Sequence, residues 1–105
     1  MRIIRLAALA AVLIAAPALA GDLAVNQKDQ TFSTPVLNVH TGDKVVWHNN
    51  DAVTHNITVR GSDGDSEDLG LQKPGSPVSY TFSDKGAFRV VCSIHPKMKM
   101  TVNVQ

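Results

Sequence analysis

The residues with the most distinctive chemistry lie in one short segment near the C-terminus. Cys92, His95 and Met98 are each separated by two residues, and they offer a thiolate, an imidazole and a thioether. A tight turn can direct all three side chains toward one point. Pro96 stiffens this turn because it has a fixed φ and no N–H. The segment therefore predicts a metal site with soft ligands.

These donor types favour copper over the other common metals. Two imidazoles and a thiolate in a trigonal set, with a weak axial thioether, form the arrangement that selects copper for electron transfer. Zinc prefers four stronger ligands and rarely uses a thioether, whereas magnesium and calcium prefer oxygen. The donors therefore predict one copper ion that changes between the cuprous and cupric states.

The second imidazole has to come from elsewhere in the chain. His40 and His48 lie in predicted strands, on the face opposite to the apolar side chains, so both are expected to face solvent. His55 follows the turn-rich segment at residues 49–51 and opens a strand, so it is expected at the end of a sheet, as Cys92 is at the end of its own strand. His55 is therefore the favoured ligand, with His48 and then His40 as alternatives.

Two of the proposed donors have competing interpretations. Cys92 is the only cysteine, so the chain cannot form an internal disulfide. A buried inert thiol, an intermolecular disulfide and a Cys–His nucleophile pair remain alternatives to a ligand, but the register with His95 and Met98 favours the ligand. Met98 is the expected axial donor, and Met100 is the alternative.

The N-terminus has the three parts of a secretory signal peptide. Arg2 and Arg5 precede an uncharged apolar run over residues 6–16, and Pro17 and the small residues around Ala20 follow. The run is about half of the ~20 residues that a membrane-spanning helix needs. We therefore predict a signal peptide over residues 1–20, a mature domain over residues 21–105 and a periplasmic location, without stable membrane insertion.

Length, charge and composition exclude several classes of protein. A chain of 105 residues is long enough for one domain. The formal net charge is +1, and only one Trp, one Tyr and three Phe are present, which argues against nucleic-acid binding. A mature chain of this size gains from a bound metal because its core is small. We expect a monomer.

The pattern of the mature chain predicts an all-β fold. About seven short runs of β-forming residues alternate with turns that contain Gly, Asn and Asp, which is typical of an antiparallel β-sandwich. A small closed barrel is the alternative. The polar and acidic stretch over residues 61–75 is interpreted as a loop. Its acidic part, residues 63–68, is a solvated loop, a docking patch for a basic partner or a calcium loop.

Two blocks of sequence carry a resemblance to a known family. The first runs from Gly42-Asp43 through Val45-x-Trp47-x-Asn49 to Asp51 and His55-Asn56. The second runs from Tyr80-x-Phe82 through Gly86-x-Phe88 to Cys92-x-x-His95-Pro96-x-Met98. Together they span about residues 36–104. The chain resembles the small type 1, or blue, copper proteins of the cupredoxin family, and most closely their amicyanin and plastocyanin branch.

This resemblance implies a Greek-key sandwich of seven to eight strands with copper near one end. It implies that His55, Cys92 and His95 are the strong ligands and that Met98 is the weak axial one. It also implies that Asn56 ties the two ligand-bearing segments together by hydrogen bonds.

The function implied is that of an electron carrier and not of an enzyme. Redox partner proteins are expected to dock transiently near His95, on an apolar patch of Ile94, Pro96 and Met98 that Val53 and Leu71 extend. Lys97 stands where many relatives have an apolar residue. The competing hypothesis is a periplasmic copper-delivery or copper-buffering protein that uses the same ligands but exchanges the metal.

Overall fold

The computed structural model describes residues 22–105, which form two packed β-sheets. The predicted signal peptide over residues 1–20 lies outside the described residues. Within residues 22–105, no helix could span a membrane. The strands are, in chain order, β1 (Asp22–Lys28), β2 (Thr31–Phe32), β3 (Val36–Val39), β4 (Lys44–Asn49), β5 (His55–Gly61), β6 (Ser66–Gln72), β7 (Pro77–Thr81), β8 (Gly86–Val91) and β9 (Lys99–Val104).

Both sheets are mixed. The first has the order β2-β1-β4-β7 and the second has the order β3-β9-β8-β5-β6. Most neighbours are antiparallel, but β1 is parallel to β4 and β3 is parallel to β9. The all-β sandwich is confirmed, and residues 22–105 form nine strands instead of seven to eight, with two parallel pairs. The sequence does not reveal these pairs because parallel neighbours are not joined by a tight turn with its local signature.

One strand, β6, lies in the acidic stretch that was interpreted as a loop. It forms the edge of its sheet and pairs with β5 alone. Its first residues, Ser66, Glu67 and Asp68, are exposed. Charged side chains are common on edge strands because they discourage pairing with another chain. The polarity of this segment thus reflects an edge strand, and only residues 62–65 form the connecting turn.

Aromatic rings dominate the core between the sheets. Trp47 is fully buried and meets Phe82 edge to face, with ring centroids 6.4 Å apart. Phe82 also contacts Tyr80 and Phe88, at 4.8 and 5.3 Å. Such edge-to-face pairs are favourable beyond the area that they bury. The remaining members of the core are Val25, Val39, Val45, Ile57, Val59, Val90, Met100, Val102 and Val104.

The strand register brings four connections together at one end of the sandwich. β4 ends at Asn49 and β5 begins at His55, while β8 ends at Val91 and β9 begins at Lys99. Gln27 of β1 lies opposite Asn49, and Gln72 of β6 lies opposite His55. We call this the site end, formed by residues 28–30, 49–55, 72–76 and 92–99. The opposite, far end contains residues 40–44, 61–67 and 82–86.

Candidate metal centre

Three side chains from two distant segments converge at the site end. His55 Nδ1 lies 3.0 Å from His95 Nδ1. Cys92 Sγ lies 4.0 Å from His55 Nδ1 and 3.7 Å from His95 Nδ1. His55 and Cys92 are buried, whereas His95 is half-buried. The group therefore presents two nitrogens and a sulfur around one point that can be reached past His95.

A carboxylate fixes the orientation of the His55 ring. His55 Nε2 lies 2.6 Å from Asp51 Oδ2. A carboxylate accepts hydrogen bonds, so Nε2 carries the proton and donates it to Asp51. In the neutral ring, Nδ1 is then left with a free lone pair. This lone pair is directed at His95 and Cys92. A histidine that binds a metal requires such an unprotonated nitrogen facing the metal position.

Asp51 also holds the turn between β1 and β2. Its carboxylate accepts hydrogen bonds from the amides of Asp29 and Gln30, at 2.5 and 2.9 Å. These two residues have φ angles of 53° and 56°, which are costly for side chains other than glycine. Burial raises the pKa of Asp51, but the hydrogen bonds from Gln30, His55 and Asp29 outweigh it and the pKa lies below its usual value. Asp51 is therefore an anion that joins this turn to His55.

The sulfur of Cys92 is buried and hydrogen bonded. Cys92 is 1% exposed, and the backbone N–H of Asn56 donates to its Sγ at 3.2 Å. An N–H donor stabilises the thiolate, which is the form that binds metals. This bond also ties the start of β5, next to His55, to the end of β8.

The side chain of Asn56 adds a second tie between the same two segments. Its Oδ1 accepts hydrogen bonds from the amide of Ser93 at 3.2 Å and from the hydroxyl of Thr58 at 2.7 Å. Its Nδ2 donates to Asp68 Oδ1 at 2.6 Å and to the carbonyl of Gly70 at 3.1 Å. Asn56 thus links β5, β6 and the loop after Cys92, as the resemblance implied.

Comparison with known protein families identifies the family to which this chain belongs. The family model for copper binding proteins of the plastocyanin/azurin family matches residues 19–105. The chain belongs to this family. Its members bind one copper ion, and His55, Cys92 and His95 form the candidate site for that ion in this cupredoxin.

Individual relatives agree with this assignment. Over 87 residues the chain is 33% identical to the amicyanin of Paracoccus denitrificans, a match that covers 81% of this chain and 66% of that protein. It is 31% identical over 88 residues to amicyanin-alpha of Methylorubrum extorquens, which covers 82% and 74%. The structure of a reduced Cu(I) amicyanin variant superposes with a TM-score of 0.74 at 29% identity, over 87% of this chain and 89% of that one.

The positions of the three donors suit the copper ion of the family. Metal–nitrogen bonds of about 2.0 Å and a metal–sulfur bond of about 2.3 Å, set at 120°, would place the nitrogens about 3.5 Å apart and each about 3.7 Å from the sulfur. The separations of 3.0, 3.7 and 4.0 Å lie close to these values. Two imidazoles and a thiolate are also the donor set of blue copper sites. Only small side-chain movements separate this cupredoxin pocket from a trigonal site.

The other sequence candidates have different surroundings. The side chain of His40 is 83% exposed and His48 is also exposed, as their strand positions predicted. Met98 is fully buried in the ligand loop, where its N–H donates to the carbonyl of His95 at 2.9 Å. The expectation that Met98 contributes to the apolar surface near His95 is therefore wrong. Met100 belongs to the hydrophobic core, and its sulfur accepts a hydrogen bond from Trp47 Nε1 at 3.5 Å.

Sequence reasoning missed the role of Asp51. The sequence marks it only as a turn residue and as a position that matches the family. One signal was available, because a carboxylate beside a histidine ligand is common in metal sites and Asp51 lies four positions before His55. A helix would make that spacing a contact, but here an irregular turn does so, which local patterns do not predict.

Buried amide side chains behind the His55 loop were also missed. Gln27 Nε2 donates to Gln72 Oε1 at 2.5 Å, and Gln72 Nε2 donates to the carbonyl of Trp47 at 2.8 Å. Asn49 Nδ2 donates to the carbonyl of Val53 at 2.9 Å. All three side chains are essentially fully buried. Asn49 and Gln72 satisfy backbone carbonyls that would otherwise be unpaired, and Gln27 holds the side chain of Gln72 in place.

Proposed function

We propose that this protein is an exported electron carrier that accepts and donates single electrons through one type 1 copper ion. The observation that carries the proposal is the convergence of Cys92 Sγ with ring nitrogens of His55 and His95, all within 4.8 Å of one another. A thiolate with two imidazoles is the donor set of electron-transfer copper sites. The copper is thus proposed to carry electrons and not to transform a substrate.

The proposed strong ligands are His55 Nδ1, Cys92 Sγ and His95 Nδ1, with Met98 as the weak axial donor. The full burial of Met98 in the ligand loop supports this assignment. The competing thioether, that of Met100, is engaged with Trp47 in the core. Since a sulfur that accepts a hydrogen bond in the core is a poorer donor, Met98 is preferred.

The surrounding residues keep the ligands in the same positions during electron transfer. Copper, when bound, supplies the cuprous/cupric couple. Asp51 fixes the ring of His55, and the amide of Asn56 holds the sulfur of Cys92. The N–H of Cys92 donates to the carbonyl of Met98 at 3.1 Å, which closes the ligand loop. Ligands fixed by such hydrogen bonds move little when the charge of the site changes, so the barrier to transfer is low.

His95 is the proposed exit for the electron. It is the half-buried member of the set, and exposed apolar side chains of Ile94, Val53 and Leu71 lie in the same part of the molecule, at 47, 41 and 71% exposure. Redox encounters use small and transient interfaces. We therefore propose that a monomer docks its redox partners around His95 and transfers electrons by an outer-sphere route.

A cupric titration of the apoprotein, made without residues 1–20, tests the proposal. We expect one equivalent of copper to produce an intense visible absorption band at about 600 nm and a reversible one-electron wave in voltammetry. The competing hypothesis, copper delivery, predicts a colourless protein that loses cuprous ion readily to a chelator. That outcome would contradict the electron-carrier proposal, whereas a coloured protein that retains copper through redox cycles supports it.

Replacing Met98 is expected to change the reduction potential, whereas replacing Met100 is expected to change the stability of the fold. Met98→Leu removes a donor that stabilises the cupric state, so we expect bound copper, retained colour and a higher reduction potential. Met100→Leu leaves the Trp47 N–H unpaired, so we expect a loss of about 1–3 kcal/mol of unfolding free energy with an unchanged potential. Voltammetry and thermal unfolding of both variants measure these effects. A potential that moves only in Met100→Leu would reassign the axial ligand.

A further inference from the structure

The charges of the described residues are separated along the long direction of the strands. Residues 22–105 carry eight basic and nine acidic side chains, a formal net charge of −1 with neutral histidines. The site end has four exposed lysines. They are Lys28, Lys73, Lys97 and Lys99. Two further exposed basic residues, Arg60 and Arg89, lie opposite each other on β5 and β8, between the two ends.

The carboxylates of the site end oppose these lysines only in part. Asp51 is engaged by His55 and by two backbone amides. Asp68, which lies where β6 passes Asn56, accepts hydrogen bonds from Asn56 and from the amide of Gly70. Asp29 is exposed and lies next to Lys28. Hydrogen bonds leave the negative charges of these carboxylates in place, so the four lysines exceed Asp29 and Asp51 of the site end by two charges, and exceed all three carboxylates by one.

The opposite end of the sandwich is acidic. Asp63, Asp65, Glu67 and Asp84 line one open groove of about 370 Å³ together with Tyr80. Burial, a hydrogen bond with Glu67 and the charge of Asp84 all raise the pKa of Tyr80. Two further carboxylates, Asp22 and Asp43, lie at this end, together with Lys44 and Lys85. Lys44 forms a salt bridge with Asp22 at 3.6 Å.

Lys73 and Lys97 lie close along the chain to the exposed apolar side chains of the site end. Lys97 lies in the ligand loop, three residues after Ile94. Lys73 follows β6 directly, two residues after Leu71. Both side chains are exposed. Two separate loops of the site end thus each supply an exposed basic group near an exposed apolar side chain.

We propose that the site end docks an acidic surface of its redox partner protein, with Lys73 and Lys97 as the groups that recognise it. The proposal rests on the electron-carrier function and adds the chemistry of the partner. An acidic partner is attracted by this end and repelled by the far end, so the charge separation also orients the encounter. In this proposal, the acidic segment over residues 63–67 repels an acidic partner that approaches the far end. It does not bind a basic partner.

The net charge of the whole molecule, taken alone, predicts a basic partner instead of an acidic one. In the reduced protein the charges of the cuprous ion and the Cys92 thiolate cancel, so the whole molecule stays near −1 and would favour a basic partner. Charges close to the contact surface act on the partner over shorter distances than the charges of the far end, so they dominate the rate of a short-range encounter, and added salt weakens their effect. The preferred charge of the partner therefore distinguishes local recognition from the effect of net charge.

The test uses the copper-loaded protein and one cytochrome c in two forms, the native basic form and a form with succinylated lysines. Stopped-flow rates are measured in the downhill direction over a series of salt concentrations. We expect the succinylated form to react faster at low salt, by about tenfold, and this preference to vanish at high salt. Faster reaction with the basic form, or equal rates at all salt concentrations, would overturn the proposal.

Two double variants with the same net charge complete the test. Lys73→Gln with Lys97→Gln is expected to lower the rate with the succinylated cytochrome several-fold at low salt. Lys44→Gln with Lys85→Gln removes two charges from the far end and is expected to leave that rate unchanged or to raise it. Equal losses in both variants would also overturn the proposal. Failure of the electron-carrier function is recognised separately, because the protein would then exchange electrons with neither cytochrome.

Discussion

Replacing Cys92 with Ser is expected to abolish the intense visible band of the cupric protein. The band requires a thiolate bound to copper, and a serine hydroxyl does not ionise near neutral pH. Ser has nearly the same shape as Cys, and its oxygen can still accept the hydrogen bond that Asn56 N–H donates to Cys92 Sγ at 3.2 Å. The fold should therefore persist while the strongest soft donor is lost. Visible absorption and a cupric titration measure both effects.

A neighbouring substitution serves as the control for this experiment. Ser93→Ala changes an exposed side chain next to Cys92 and keeps the backbone amide that donates to Asn56 Oδ1. This variant is expected to retain the band and the copper. Thermal unfolding of both apoproteins verifies that each is folded. An intense band that survives Cys92→Ser would remove the thiolate from the site.

Replacing Asp51 with Asn is expected to weaken copper binding by about 10–100-fold. The amide carries no negative charge to hold the proton on His55 Nε2, and where its NH2 group faces Nε2 the ring proton moves to Nδ1. Nδ1 is the atom that faces Cys92 and His95, and a metal would have to displace this proton. Competition with a copper chelator measures the affinity, and the ¹⁵N chemical shifts of the ring of His55 report the tautomer in the apoprotein.

Asp29→Asn provides the matched control. It removes an exposed carboxylate from the same turn without touching the ring of His55. We expect this variant to keep the wild-type affinity and the wild-type tautomer. A purely structural role for Asp51 would lower the thermal stability of Asp51→Asn but leave the tautomer of His55 unchanged. That pattern would contradict the positioning role assigned to the carboxylate.

The sequence predicted best what short segments decide. Cys92, His95 and Met98 lie within seven consecutive positions, so their spacing alone indicates a shared turn. Strand alternation correctly predicted that His40 and His48 face solvent. His55 could be selected because it opens a strand after a turn, and the structure brings it to Cys92.

What the sequence did not predict depends on contacts between distant segments. The polarity of β6 indicates a loop until its position at the sheet edge is known. The parallel pairing of β1 with β4 carries no turn signature. Asp51 meets His55 because an irregular turn, tied to the amides of Asp29 and Gln30, folds the carboxylate back onto the ring. Such contacts follow from the packing of the whole domain and not from any local periodicity.

The central claim, that His55, Cys92 and His95 hold one copper ion with little change on electron transfer, is tested most directly by copper X-ray absorption in both oxidation states. We expect two nitrogen ligands and one short sulfur ligand in each state, with nearly equal bond lengths. Spectra without the sulfur, or with a different set of ligands in the reduced protein, would contradict the claim.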